Sequence, residues 1–194
     1  MNLPRKRHPD IRIFLAAILL GLAVLACGTS PSPAKDGGAS GRAPTNAPAS
    51  SSCLQDVTAG TTTRQGLIAA LGTPAQTEVQ DNQEMLLYAT TDSGQYHSIV
   101  VQNNIVGLVS VLLDENAPLV WSTVRDQYGN PPITTYSYFL EGTRTYVYPA
   151  KGQAFVASPD LDIVYARECF VPMSADDYMS SWGSSLPTEN PFPK

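Results

Sequence analysis

Charge is the scarcest property of this 194-residue chain: Lys, Arg, Asp and Glu together make up 15% of it. Twelve basic side chains stand against seventeen acidic ones, and no Lys/Arg cluster occurs after Arg12. An acidic balance without a basic stripe excludes a nucleic-acid-binding surface. Histidine is nearly missing, with only His97 after the first dozen residues. Long apolar runs are also missing, apart from Ile13 to Ala26, so a polytopic membrane protein is excluded. No Gly-x-Ser-x-Gly elbow, His-Glu-x-x-His pair, Walker loop or dinucleotide-binding glycine pattern is present. What is plentiful is apolar residue content, 43%, together with 16 Pro and 14 Gly. That hydrophobic fraction suits a folded domain rather than a wholly disordered chain.

Three regions share this average composition. Arg5, Lys6, Arg7 and Arg12 make a cationic start, followed by fourteen apolar residues from Ile13 to Ala26. As a helix that run spans about 21 Å, too short for a hydrocarbon core of about 30 Å. A charged start, an apolar middle and a small residue before a break is the pattern of an export signal over residues 1–26. Val24-Leu25-Ala26-Cys27 resembles the lipobox of bacterial lipoproteins, which implies that Cys27 is diacylated (palmitate-type chains) and becomes the mature N-terminus. Two acyl chains hold a protein stably where one would not. Residues 27–52 then read as a tether. Between Cys27 and Cys53 all but Lys35, Asp36, Arg42 and Asn46 are Gly, Pro, Ser, Thr or Ala. Such a tract cannot offset its ordering entropy by burial. With Cys27 assigned to lipid, Cys53 and Cys169 remain, and an even remainder in an exported chain predicts a disulfide between them. From Cys27 onward the chain carries eight basic and sixteen acidic side chains, so the exported form is more acidic than the whole.

Inside the globule two stretches read alike. Thr62 and Gln65 form a capping box that opens a helix with Leu67, Ile68 and Leu71 on one face, and Gly72 and Pro74 stop it. Val120, Val124 and Tyr128 repeat the helical spacing, and Gly129 and Pro131 stop that helix in turn. After the first helix, strands are predicted over Glu84–Thr90, Gln95–Gln102 and Ile105–Leu113. After the second they are predicted over Ile133–Phe139, Thr143–Tyr148, Gln153–Ser158 and Leu161–Glu168. Asp92-Ser-Gly94, Asn103-Asn104, Glu141-Gly142, Lys151-Gly152 and Pro159-Asp160 are hairpin separators. The expected fold is therefore α+β, with two tandem repeats over residues 53–115 and 116–183. Each is a short helical segment on a three- to four-stranded antiparallel meander, and a Pro-rich tail follows over residues 184–194.

Gly60-Thr-Thr-Thr, Leu67-Ile-Ala-Ala-Leu-Gly-Thr-Pro74 and the aromatic strand at Tyr88 resemble the SmpA/OmlA, or BamE-like, family of small envelope lipoproteins. The resemblance covers about Val57–Leu113. It implies helices against a small antiparallel sheet and an extracytoplasmic, membrane-anchored setting. Thr61 stands where that family usually has Met, and Leu86 where it has Trp. The tandem arrangement is similar to the β-lactamase-inhibitor protein architecture.

Chemistry is sparse. His97 reads as a half-exposed strand residue, and no metal or cofactor site is expected. Asp160 and Asp162 lack the remaining ligands of a calcium loop. Ser174 reads as an N-cap with Asp176 and Asp177 on the first turn of a short helix carrying Tyr178 and Trp182. The best candidate contact surface is a cross-strand ladder of Tyr136, Tyr138, Tyr146 and Tyr148, with packing against the helices as the competing reading. No catalytic residue is assigned. The expected function is that of a non-enzymatic binding or scaffolding module at the cell membrane or outer membrane. Its partners would be the membrane, through Cys27, and an envelope protein, with no nucleic acid. Inhibition of a wall-associated enzyme and a small carboxylate-dependent hydrolase are the alternatives.

Overall fold

The computed structural model describes residues 52–80, 82–91, 94–114 and 116–192. The expected signal peptide, Cys27 and all of the tether but Ser52 lie outside the described residues.

A small ribbon of β1 (Ser52–Leu54) and β2 (Val57–Thr58) leads into α1 (Arg64–Leu71). Four antiparallel strands follow: β3 (Gln76–Gln80), β4 (Gln83–Ala89), β5 (Tyr96–Gln102) and β6 (Ile105–Leu112). A two-residue strand β7 (Leu119–Val120) precedes α2 (Trp121–Tyr128). Then come β8 (Ile133–Tyr136), β9 (Arg144–Tyr148), β10 (Gln153–Ser158) and β11 (Ile163–Phe170). The chain closes with α3 (Ala175–Ser180) and a 3-10 turn at Trp182–Ser185.

The fold is α+β, dominated by one sheet. Its strand order is β3-β4-β5-β6-β11-β10-β9-β8, with β7 beside β11. The two meanders meet edge to edge through β6 and β11, which pair Val109 with Cys169 and Ser110 with Glu168. A chain cut at residue 115 would divide a continuous ladder.

One face carries the helices. Leu67 of α1 packs with Leu86, Ile99, Val101, Val106 and Val109, all buried. Trp121 and Val124 of α2 pack with Tyr146, Tyr148, Phe155 and Val164. The cysteines form the predicted disulfide, tying β1 to β11 across 116 residues with Cα atoms 5.6 Å apart. The other face is covered at its β8–β10 end by the C-terminal segment. Tyr178 is fully buried against Val147, Ala154 and Phe170, with Met173, Met179, Trp182 and Leu186 around them.

Several details differ from the sequence expectations. The N-cap of α1 is Thr63, whose hydroxyl accepts from the Gly66 amide at 3.0 Å; Thr62 instead accepts from the Thr58 amide at 2.8 Å. The buried stripe of α2 starts at Trp121, because Val120 lies before the helix and is exposed. The strand β3 was not expected, since Gln76–Gln80 is a mostly exposed, polar edge without an apolar alternation. The segment after residue 183 is not a free tail at its start: Leu186 packs on the sheet, and the Tyr136 amide donates to the Pro187 carbonyl.

Two sets of contacts recur. Gly72 and Gly129 end their helices at φ 82°, ψ −163° and φ 79°, ψ −164°, a region essentially reserved for glycine. Tyr88 and Tyr148 donate their hydroxyls to the carbonyls of those same glycines. The amides of Arg64 and Trp121, the first residues of α1 and α2, donate to the carbonyls of Asn104 and Asp162, both at positive φ in hairpin turns.

Candidate functional site

The four tyrosines do not form an exposed ladder. Tyr146 pairs with Thr134 and Tyr136 with Arg144. Tyr146 and Tyr148 are 7% and 4% exposed, and they supply the aromatic volume under α2. Tyr146 stacks on Trp121 with ring centroids 4.0 Å apart, and Tyr148 meets Phe155 edge-on. Burial pushes both phenols above their ordinary pKa. Tyr136 is half-buried, with the Arg144 guanidinium 4.7 Å from its ring centroid, and Tyr138 lies beyond the end of β8, 41% exposed. Only these two remain available for contact.

Other singled-out groups are occupied structurally. His97 accepts the Leu112 amide on Nδ1 at 3.2 Å, and burial lowers its pKa, favouring the neutral imidazole. Asp162 caps α2 from 40 residues away: its carboxylate accepts from the Ser122 amide at 2.7 Å and from the Ser122 hydroxyl at 2.9 Å. Asp160 is exposed and lines a shallow cleft of about 280 Å³ with Tyr136, Arg144 and Asn190. Ser174 caps α3 by accepting from the Asp177 amide, and Asp176 and Asp177 lie exposed on its first turn. Among the described residues no three His, Cys, Asp or Glu side chains are grouped to hold a metal ion.

The distinctive group is Glu168. Strand pairing places it in one unbroken row across the whole sheet: Gln76, Leu87, Ser98, Ser110, Glu168, Ala154, Val147 and Ile133 lie side by side. Directly opposite residues in antiparallel strands share a face, so this row lies on the face away from α1 and α2. Ala154 and Val147 are buried under the C-terminal segment, while Ser98 and Ser110 on the other side are half-exposed. Neighbouring rows supply Met85, Val100, Leu108 and Leu112, also half-exposed. Trp182 closes one side by lying over Gly107, where a Cβ would come within 3.0 Å of its ring. Glu168 thus sits between the part of this face buried under the C-terminal segment and a half-buried part at Ser98 and Ser110, beyond which Leu87 is buried again.

Among the described residues no cation pairs with Glu168, and the one ion pair joins Arg64 to Glu84 at 2.6 Å on the helix face. Glu168 keeps some solvent contact, yet it is crowded enough that burial pushes its carboxyl up to about 7. Burial first, and the Glu168 charge second, raise the pKa of Tyr178. The sequence pattern predicts a strand ending at Glu168. Two further residues, Cys169 and Phe170, continue the strand and place Glu168 inside the sheet.

No family model matches this chain, and no curated protein matches it. Among solved structures, a DUF4309 family protein (YjgB) from Bacillus subtilis subsp. subtilis str. 168 is similar at 15% identity and TM-score 0.45, covering 60% of this chain and 83% of that one. An extracellular protein containing a SCP domain, from Bacillus anthracis str. Ames, is similar at 12% identity and TM-score 0.48. The match covers 80% of this chain and 56% of that protein's length.

Proposed function

We propose that this protein is a membrane-anchored, extracytoplasmic lipoprotein whose globule is a non-enzymatic binding or scaffolding module for another envelope protein. The observation that carries the binding reading is the set of half-buried apolar side chains, Met85, Val100 and Leu112, on the helix-free face of the sheet, with Leu108 beside them at the edge of the C-terminal cluster. An exposed sheet face is ordinarily polar, and a contiguous apolar one marks an interaction surface. Export is supported by the signal-like residues 1–26 and by a disulfide, which persists in oxidising compartments. Anchoring is supported by Val24-Leu25-Ala26-Cys27 and the tether-like composition after it.

The architecture we infer is that of two copies of one BamE-like unit fused edge to edge. The matched glycine caps, the two Tyr-to-Gly hydrogen bonds and the two turn-to-helix hydrogen bonds support it. So does the resemblance of the first unit to the SmpA/OmlA family.

Membrane fractionation of the host tests the reading. The full chain fractionates with membranes, incorporates labelled palmitate and copurifies a discrete envelope protein after cross-linking. Cys27→Ser releases it from the membrane and abolishes the label. Unchanged partitioning of Cys27→Ser contradicts the anchor, and turnover in a hydrolase screen that is lost on carboxylate substitution contradicts the non-enzymatic reading.

A further inference from the structure

An uncompensated carboxyl in the middle of an apolar field is costly unless something pairs with it. Among the described residues, the neighbours that strand pairing and α3 give Glu168 on this face are neutral. Its cross-strand partners are Ser110 on β6 and Ala154 on β10, Ser98 follows on β5, and Tyr178 faces it from α3. The charged residues of α3, Asp176 and Asp177, are exposed and are acids themselves. No cation within the described residues can compensate Glu168. From Cys53 onward the chain has fifteen acidic and six basic side chains, so the field around the site favours positive charge. A second copy of this acidic globule, an anionic lipid surface or a nucleic acid would all bring charge of the wrong sign.

We propose that the face around Glu168 receives a segment of a partner protein that presents a lysine or arginine among apolar side chains, the cation pairing with the Glu168 carboxylate. Ser98 and Ser110 are the small, half-buried side chains beside Glu168 in its row, Met85 and Leu112 are the apolar side chains of the rows on either side, and Trp182 lies next to them over Gly107. This proposal rests on the binding-module reading and specifies the chemistry of the partner. Because the free carboxyl titrates near neutrality, pairing it with a cation expels its proton, so affinity rises with pH.

The probe is a library of random twelve-residue peptides displayed on phage, panned at pH 7.5 on the full chain, with the Ser110→Arg chain as counter-selection. Selected peptides are expected to carry Lys or Arg flanked by apolar residues. The best one, made synthetically, should bind at least tenfold more weakly to Ser110→Arg and to Glu168→Gln. It should also bind at least fivefold more weakly to the unmodified chain at pH 5.5 than at pH 7.5, and the Glu168→Gln chain should show no such pH dependence. Circular dichroism establishes that both variants are folded. Peptides that are blocked by Ser110→Arg but indifferent to Glu168→Gln and to pH overturn the cation pairing, while leaving a binding face in place. Peptides indifferent to Ser110→Arg, or no selected peptides at all, overturn the site. Self-association of the unmodified chain that Ser110→Arg abolishes would identify a second copy as the occupant and overturn the proposal as well.

Discussion

The hydroxyl of Tyr148 donates to the carbonyl of Gly129 at 2.8 Å, joining the middle of the second meander to the end of α2. Tyr88 makes the same connection to Gly72 at 3.4 Å, on the far side of the sheet's centre. Because the glycine carbonyl ends a helix, the tyrosine supplies a partner that the helix cannot. Replacing Tyr148 with Phe keeps the ring and removes the donor. Tyr148→Phe should lower stability by about 1–2 kcal/mol. Tyr88→Phe should cost less, because its bond is longer. Urea unfolding of the two variants checks the order.

The cap on α2 comes from Asp162, 40 residues further along the chain from Ser122. Asp162→Ala should destabilise by about 1–2 kcal/mol. Ser122→Ala keeps the amide bond and loses only the hydroxyl contact, so it should cost less. Thermal unfolding of both variants gives the comparison.

The disulfide closes a loop of 116 residues. In the chain-entropy account, removing it costs about 4–5 kcal/mol. A Cys53→Ser/Cys169→Ser double variant should therefore unfold at far lower urea, with no further shift on adding reductant. A thiol assay on the unmodified globule should find neither Cys53 nor Cys169 reactive until reduction.

Glu168 sets a pH dependence whose sign is fixed by burial. Its carboxyl titrates near 7 in the folded chain against 4.5 as its ordinary value, so the folded state binds the proton more tightly than the unfolded state. Stability from this group is fully present below about 4.5 and is lost as pH rises to about 7, an effect on the order of 2–3 kcal/mol. Glu168→Gln should flatten the profile over that range and be the more stable form at pH 8. Chemical denaturation from pH 4 to 8 measures it.

Much of the fold was legible because local chemistry repeats it. Asn103 and Asn104 at φ 50° and 65° and Gly142 at 79° turn the chain where the separators predicted, and the strands between them end within two or three residues of expectation. Gly72 and Gly129 end both helices for the reason their spacing suggested. What was illegible depends on distance or irregularity. Nothing local in the sequence points Asp162 at Ser122, 40 residues away. Irregular pairing between Val156 and Ala157 of β10 opposite β11 disturbs the alternation that would have assigned faces in Ile163–Phe170, which hid Glu168. Tyr136, Tyr146 and Tyr148 share one face, as a ladder requires, but α2 covers only the Tyr146 and Tyr148 part of it through Trp121 and Tyr128, which no local pattern reveals. The strand β3 gave no signal, because an edge strand of Gln, Thr, Glu, Val and Gln has little to bury.

The central claim is that the helix-free face around Glu168 meets a partner in the envelope. Its most direct test is site-specific photo-cross-linking of the full chain in intact host cells. A benzophenone side chain replaces Leu112 on that face or, as the control, Thr123 on the exposed side of α2. The account predicts one discrete adduct from position 112, lost when Ser110→Arg is added, and none from position 123. An adduct from position 123 with none from position 112 would contradict it.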